Sequence, residues 1–304
     1  MDPAAALVPI PLAELPPLPP LALAAVGHVE VVSFVEVEQL PVAGSIGHAT
    51  HFQELAAGGG AVVAVQLAKL SGRPVPFFTS LGRDAAGEQA AAQLEALGLE
   101  LHVAWRDAPS RRGISFSDAR GERSSTVIGD RRTPPAAVAL PWHLREACGG
   151  VFVTAADPAA LRLARRARVL AATPRVRLET LREAAVPLDA LIGSGLDPAE
   201  HYEPGDLQPE PRLVIATEGA AGGRLTPGGP GGRFLAPERQ RPPLDAYGAG
   251  DCFAAGVTAG LAAGWSVAEA VSLGCHCGSA CLDGRGPYGG QLEGTAVGGS
   301  RAAR

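Results

Sequence analysis

A run of small residues ending on a carboxylate, Gly248-Ala249-Gly250-Asp251, carries the most chemistry in this chain. Small residues at 248 to 250 let backbone N–H groups converge on an anion at the positive end of a helix that starts there. Asp251 falls in the first turn. It can take a proton from an attacking hydroxyl as general base while the free amides hold charge on a transferred phosphoryl group. The alternative is a capped surface helix with ordinary glycine punctuation. Phe253, Ala254, Ala255, Gly256 and Val257 follow, small and apolar, and predict a buried helix whose N-terminus points inward.

From Asp245 to Gly256 the chain resembles the ribokinase-like, or phosphofructokinase-B-type, carbohydrate kinases. Their C-terminal signature reads Asp-Thr-x-Gly-Ala-Gly-Asp-x-Phe-x-Ala-Gly, and Ala246 stands here in place of the threonine. Thr217-Glu218-Gly219-Ala220-Ala221-Gly222 matches the turn with which similar kinases hold ATP, and Phe78 to Gly87 resembles the family's Leu-Gly-x-Asp-x-x-Gly segment, with Asp84 a helix cap. The resemblance spans roughly residues 21 to 288. It implies ATP with Mg2+, leaves room for a monovalent cation, and gives Asp251 the role of base and Gly248, Ala249 and Gly250 that of anion hole. Thr217, Gly219 and Gly222 would help hold ATP.

Other positions depart from the family. Gly58-Gly59-Gly60 stands where relatives meet the sugar, with a tight packing turn as the other reading, and the asparagine expected soon after falls at Val62. The family's sugar-orienting aspartate position falls at Val32. Glu30 is the best remaining carboxylate, either against substrate or as a solvated strand residue. The Asn-x-x-Glu motif that organises magnesium-bound water falls at Ser194 and Asp197, which keep oxygen atoms at that spacing for a hard cation.

These residues need a scaffold, and composition supplies one. The chain has 304 residues, 46% hydrophobic content and net charge -5, enough for a large α/β domain with a small appendage and without a basic surface for nucleic acid. No Lys or Arg precedes Lys69, so neither a signal peptide nor a transit peptide is expected, and no apolar run reaches membrane-span length. A cytoplasmic enzyme, with a homodimer open to it, is the expectation. Lys69 is the only lysine and asparagine is absent, which excludes a P-loop and a protein-kinase catalytic loop; Lys69 itself reads as a solvated helix residue. Cys148, Cys252, Cys275, Cys277 and Cys281 read as small core residues rather than as disulfides or a zinc site, because 275 and 277 face apart on a helix.

Patterning gives the order of elements. Strands are predicted at 21 to 26, 29 to 37, 46 to 52, 75 to 78, 113 to 117 and 124 to 128, the last two flanking a turn at Ala119-Arg120-Gly121. Helices are predicted at 60 to 70 and 85 to 97, and from Val151 strand and helix alternate until a glycine-rich hairpin at 222 to 233. Two apolar helices follow, the second with Ser266 and Glu269 as a capping box. The expectation is a three-layer α/β/α, mostly parallel sheet at 21 to 288, with a small β-sheet lid from about 29 to 55 and 111 to 128. The Pro-rich opening (1 to 20) and Gly-rich close (289 to 304) read as mobile tails.

The expected activity is ATP-dependent phosphorylation of a hydroxyl on a sugar or sugar-like small molecule. Two alternatives remain open. One is a nucleoside kinase of the same fold, with Phe34 and Phe52 as stacking surfaces; the other is a catalytically impaired ATP-binding regulatory protein, motivated by Val32, Val62 and Ser194.

Overall fold

The computed structural model describes residues 6–118, 120, 123–227 and 232–299. The first half runs β1 (Leu23–Val26), β2 (Glu30–Val37), β3 (Ala49–Ala57), α1 (Gly59–Ser71), β4 (Val75–Gly82), α2 (Ala85–Ala96), β5 (Leu99–Arg106), β6 (Arg112–Asp118) and β7 (Arg123–Ile128). The second half runs β8 (Gly150–Val153), α3 (Pro158–Ala164), β9 (Val169–Ala172), α4 (Leu178–Ala184), β10 (Ala190–Ser194), β11 (Val214–Thr217), β12 (Gly223–Thr226), β13 (Arg233–Phe234), α5 (Ala249–Ala262) and α6 (Val267–Cys281). β5 is an element that the sequence reading did not name. In the expected turn after β6, Ala119 and Gly121 lie outside the described residues, as does the tip of the 222 to 233 hairpin.

Nine strands form one sheet in the order β13-β12-β11-β10-β9-β8-β1-β4-β5, parallel from β11 to β5 and antiparallel at the β12 and β13 edge. Its central strands are apolar at every position because both faces are covered. Leu23, Ala25, Phe77 and Phe152 face α1, α5 and α6, while Ala24, Val26, Phe78, Val151 and Val153 face α3 and α4. This is the expected three-layer architecture. The second sheet, β3-β2-β6-β7, stands apart and matches the expected small sheet.

Two local devices fix the helices that carry the site. α5 and α6 pack backbone to backbone: a Cβ on Gly256 would lie 2.8 Å from the Gly274 Cα, and one on Gly260 would lie 2.7 Å from the Ala270 Cα. α6 begins in the capping box, where the Ser266 hydroxyl accepts from the Glu269 amide and the Glu269 carboxylate accepts from the Ser266 amide. Asp84 caps α2, accepting from the Gly87 amide at 2.8 Å. The same carboxylate takes the Ser110 amide (2.8 Å) and hydroxyl (2.7 Å), tying down the loop that leads to Arg111.

Three expectations need correction. Residues 6–20 and 289–299 are packed on the domain rather than mobile. Leu15 is fully buried, the Ile10 amide donates to the Ser272 hydroxyl, Gln291 is buried, and the Gly298 amide donates to the Leu12 carbonyl. These segments carry apolar anchors within a Pro- or Gly-rich composition. The outer residues of both expected tails, 1–5 and 300–304, lie outside the described residues. Lys69 is not a solvated helix residue: its Nζ donates to the Tyr288 carbonyl at 2.9 Å and helps hold the C-terminal segment. All five cysteines are free and buried, as expected of core residues.

Candidate active site

The residues around the 248 to 251 turn gather at the carboxyl ends of the parallel strands, where α5 begins. The chain reaches α5 through Gly248, whose φ of 82° is left-handed and favours glycine. A Cβ there would also lie 2.8 Å from the Val62 Cγ1, so the residue at the family's asparagine position forms the floor under this turn. The first amides of α5 lack intrahelical acceptors and point along the helix dipole. A Cβ built on Gly250 meets nothing within 4 Å, which leaves open space in front of the amides.

Asp251 sits half-buried in this first turn. The α1 N-terminus closes against it: a Cβ on Gly59 would lie 2.7 Å from Asp251 Oδ1, so only glycine lets the carboxylate keep its position. Burial pushes the Asp251 carboxyl up to about 6; Arg175 opposes this, and Glu200 and Glu30 add to it. A carboxylate with that proton affinity suits general-base work near neutral pH.

Two cavities meet at the turn. One of about 440 Å³ is lined by His28, Glu30, Gly58, Gly59, Asp251 and a group of arginines. The other, about 620 Å³ and mostly apolar, is lined by Thr217, Gly219, Gly222, Phe253 and the C-terminal half of α6. Thr217, Ala246, Ala249 and Gly250 belong to both. Gly219 and Gly222 have positive φ of 61° and 84°, and a Cβ on Gly222 would lie 2.0 Å from the Phe234 carbonyl oxygen. The turn after β11 therefore requires its glycines for shape.

The expected substrate residues divide. Gly58 and Gly59 line the first cavity, whereas Gly60 packs on the His28 backbone, its would-be Cβ 2.6 Å from that carbonyl oxygen. Glu30 is buried rather than solvated, with Arg111 Nε at 2.9 Å and His28 Nε2 at 3.6 Å. Burial raises its proton affinity, with Arg111, Arg131 and Arg175 pulling the other way. His28 is held neutral by burial and by Arg131, Arg111 and Arg175. Val32 is buried in the small sheet, behind Gly113.

Of the expected metal residues, Ser194 lines the first cavity but Asp197 does not. Asp197 caps the following turn through the Ala199 amide (2.9 Å) and pairs with Arg175 (2.6 Å). The carboxylate that this segment places in the cavity is Glu200. Its Oε2 accepts from the Ser194 amide at 2.9 Å, and its Oε1 pairs with Arg175. Sequence reasoning missed Glu200 although Asp197-Pro198-Ala199-Glu200 repeats an acidic-x-x-Glu spacing three residues later. It also missed Arg111, Arg123, Arg131, Arg175, His28 and Tyr247, the last of which accepts from the Gly58 amide at 3.1 Å. The available signal was the pairs Arg111-Arg112 and Arg131-Arg132 bracketing the β6–β7 hairpin.

The model of the pfkB family carbohydrate kinases matches residues 21–144 and 197–293. The chain belongs to that family. The matched part includes Glu200, Thr217 and the whole α5 turn, while the expected Ser194 falls in the gap. No curated protein matches the sequence. Among solved structures, a microbiome-derived acarbose kinase is 22% identical with TM-score 0.73, covering 90% of this chain and 96% of its own. Ribokinase from Arabidopsis thaliana, solved with ribose and ATP, is 20% identical with TM-score 0.69, covering 91% and 97%. Adenosine kinase from Sinorhizobium meliloti is 19% identical with TM-score 0.70, covering 94% and 100%. At these identities the likeness shows the fold. Among the described residues, no helix is long and apolar enough to cross a membrane.

Proposed function

We propose that this carbohydrate kinase transfers the γ-phosphoryl group of ATP to a hydroxyl of a sugar-like molecule, with Asp251 as general base. The observation that carries the reading is the meeting of two cavities at Ala249 and Gly250, with Asp251 on the acceptor side. ATP fits the apolar cavity beside Thr217, Gly219 and Gly222, its phosphates directed at the α5 amides. The acceptor occupies the cavity of Gly58, Gly59 and Glu30. Its hydroxyl gives its proton to Asp251 as its oxygen attacks the γ-phosphorus and the bond from that phosphorus to the β–γ bridging oxygen breaks, so that ADP leaves, while amides of Gly248, Ala249 and Gly250 take up charge on the transferring group. A base raised toward pH 6 by its surroundings accepts that proton without leaving the carboxylate mostly protonated at pH 7.

Magnesium fits this site in one way only. No group of three or more His, Cys, Asp or Glu side chains among the described residues is placed to hold a metal ion. Glu200 already bonds Arg175 and the Ser194 amide, which leaves it capacity to accept from a metal-bound water but not to chelate directly. The ion would reside on ATP oxygens and water and offset phosphate charge. Glu200, not Asp197, is the chain's contribution.

The nucleoside alternative loses its stacking surfaces: Phe34 is buried edge-on against Tyr247 at 4.9 Å, and Phe52 is exposed and lines neither cavity. The regulator alternative does not account for the glycine at 59 that seats a carboxylate beside an open anion site. The test is ATP-dependent phosphorylation across sugars, sugar phosphates and nucleosides. Transfer to a sugar-type hydroxyl supports the reading, and ATP binding with no transfer to any of them supports the regulator.

A further inference from the structure

The acceptor cavity carries more positive charge than a neutral sugar can use. Arg111, Arg123, Arg131 and Arg175 all line it. Arg175 is committed to Glu200 and Asp197, and Arg111 to Glu30. Among the described residues, neither Arg123 nor Arg131 forms an ion pair with a carboxylate. Arg131 donates to the Arg175 carbonyl, and Arg123 lies over the Tyr247 ring at 5.3 Å from its centroid. Burial together with repulsion from Arg111 and Arg175 pushes the Arg131 guanidinium below its ordinary proton affinity, although Glu30 opposes this. Such an arrangement is unfavourable in the empty protein and becomes favourable when an anion enters.

The supporting elements point the same way. β7 alternates, so Arg123, Ser125 and Val127 share the face toward the cavity. Arg111 is aimed by the loop that Asp84 clamps through Ser110. The guanidinium forks thus come from the small sheet and its exit and line the acceptor cavity, with Arg123 beside Tyr247 next to the α5 turn. The α5 amides already answer the charge of the γ-phosphate, so the anion these further forks call for is one carried by the acceptor.

Resting on the kinase reading above, we propose that the acceptor is an anionic sugar, one whose own phosphate or carboxylate is held by Arg123 and Arg131 while a hydroxyl elsewhere on it faces Asp251. Two unpaired guanidiniums match the charge of a phosphate dianion, and planar bidentate donors suit its oxygens. A cavity of about 440 Å³ has room for a hexose monophosphate.

The experiment compares fructose with fructose 1-phosphate and fructose 6-phosphate, and glucose with gluconate, as acceptors for wild type, Arg123→Gln and Arg131→Gln. The expected result is a kcat/KM at least about a hundredfold higher for a charged acceptor than for its neutral parent, shrinking by about tenfold or more in each variant. The KM of the charged acceptor should rise with salt while that of the neutral one stays level, a response that a merely structural arginine would not give. Preference for phosphates over gluconate identifies a phosphate site; the reverse identifies a carboxylate site. Calorimetric binding of fructose 6-phosphate and gluconate, each with a non-hydrolysable ATP analogue present, reads the anion site independently of turnover. Neutral sugars phosphorylated as well as charged ones would overturn the proposal and leave the kinase reading standing. Charged sugars that bind through Arg123 and Arg131 without being phosphorylated would leave the anion site standing and sink the kinase reading. If neither charged probe is bound or phosphorylated, the anion site is absent.

Discussion

Replacing Asp251 by Asn should make the protein more stable and all but inactive. The wild-type carboxyl has a folded value of about 6 against an ordinary 3.8, because burial and the nearby Glu200 and Glu30 outweigh Arg175. Its charged form is therefore worse off in the folded protein than in the unfolded chain. The sign follows: below about pH 4 the group is protonated in both states and costs nothing, and as pH rises from about 4 to 6 the unfolded chain ionises first and stability falls. Above pH 6 the penalty is complete. At 1.36 kcal/mol for each tenfold in proton affinity it amounts to about 3 kcal/mol, and to about 2 kcal/mol after allowance for water in the open cleft. Asparagine has no charge to desolvate. Denaturant unfolding at pH 8 should then show Asp251→Asn about 2 kcal/mol more stable, a rise in Tm of roughly 4 °C, with the gain shrinking as pH falls from 6 toward 4. Phosphoryl transfer should fall by at least about a hundredfold with ATP still bound. A variant no more stable than wild type at pH 8, or a gain that does not change with pH, would refute the reasoning that this carboxylate is strained by its surroundings for catalysis.

Three further outcomes follow from the same geometry. Gly59→Ala should place a methyl group against Asp251 Oδ1, where the would-be Cβ is 2.7 Å away, and lower kcat by about a hundredfold with a stability change near 1 kcal/mol; steady-state kinetics and unfolding on the same sample check it. Gly250→Val projects into open space, so it should impair turnover far more than folding, and equal losses would favour an ordinary capped helix. Glu200→Gln should raise the magnesium concentration for half-maximal rate by about tenfold, and Asp197→Ala by less, measured by magnesium titration at fixed ATP.

Local signals in the chain were strong where backbone shape dictates sequence. The left-handed turn at Gly248, the close approach at Gly59, the Thr217 to Gly222 turn and the Ser266–Glu269 box each need particular small or capping residues, so the α5 turn and the architecture around it were legible. The parallel strands were legible too, since burial on both faces leaves apolar runs. The arginines were not. Arg111 and Arg123 reach the cavity only because β6 pairs with β2 in register from Val31 to Val37, and Arg175 only because β9 ends beside β10. Nothing in an isolated arginine announces such long-range pairing. Glu200 was obscured because a three-residue spacing occurs twice in succession, and only the turn at Pro198 decides which carboxylate enters the cleft. The terminal segments were misjudged because a few anchors, such as Leu15 and Gln291, outweigh a Pro- or Gly-rich average.

The central claim is that Asp251 takes the acceptor's proton, and the pH dependence of kcat/KM for phosphoryl transfer tests it most directly. With saturating ATP and magnesium, log kcat/KM should rise with a slope of about one up to pH 6 and level off above it, following ionisation of a carboxyl held at about 6. In Asp251→Asn the residual rate should lose that limb. A wild-type profile flat between pH 5 and 8, or a variant that keeps the same limb near pH 6, would contradict the claim and give the base to another group.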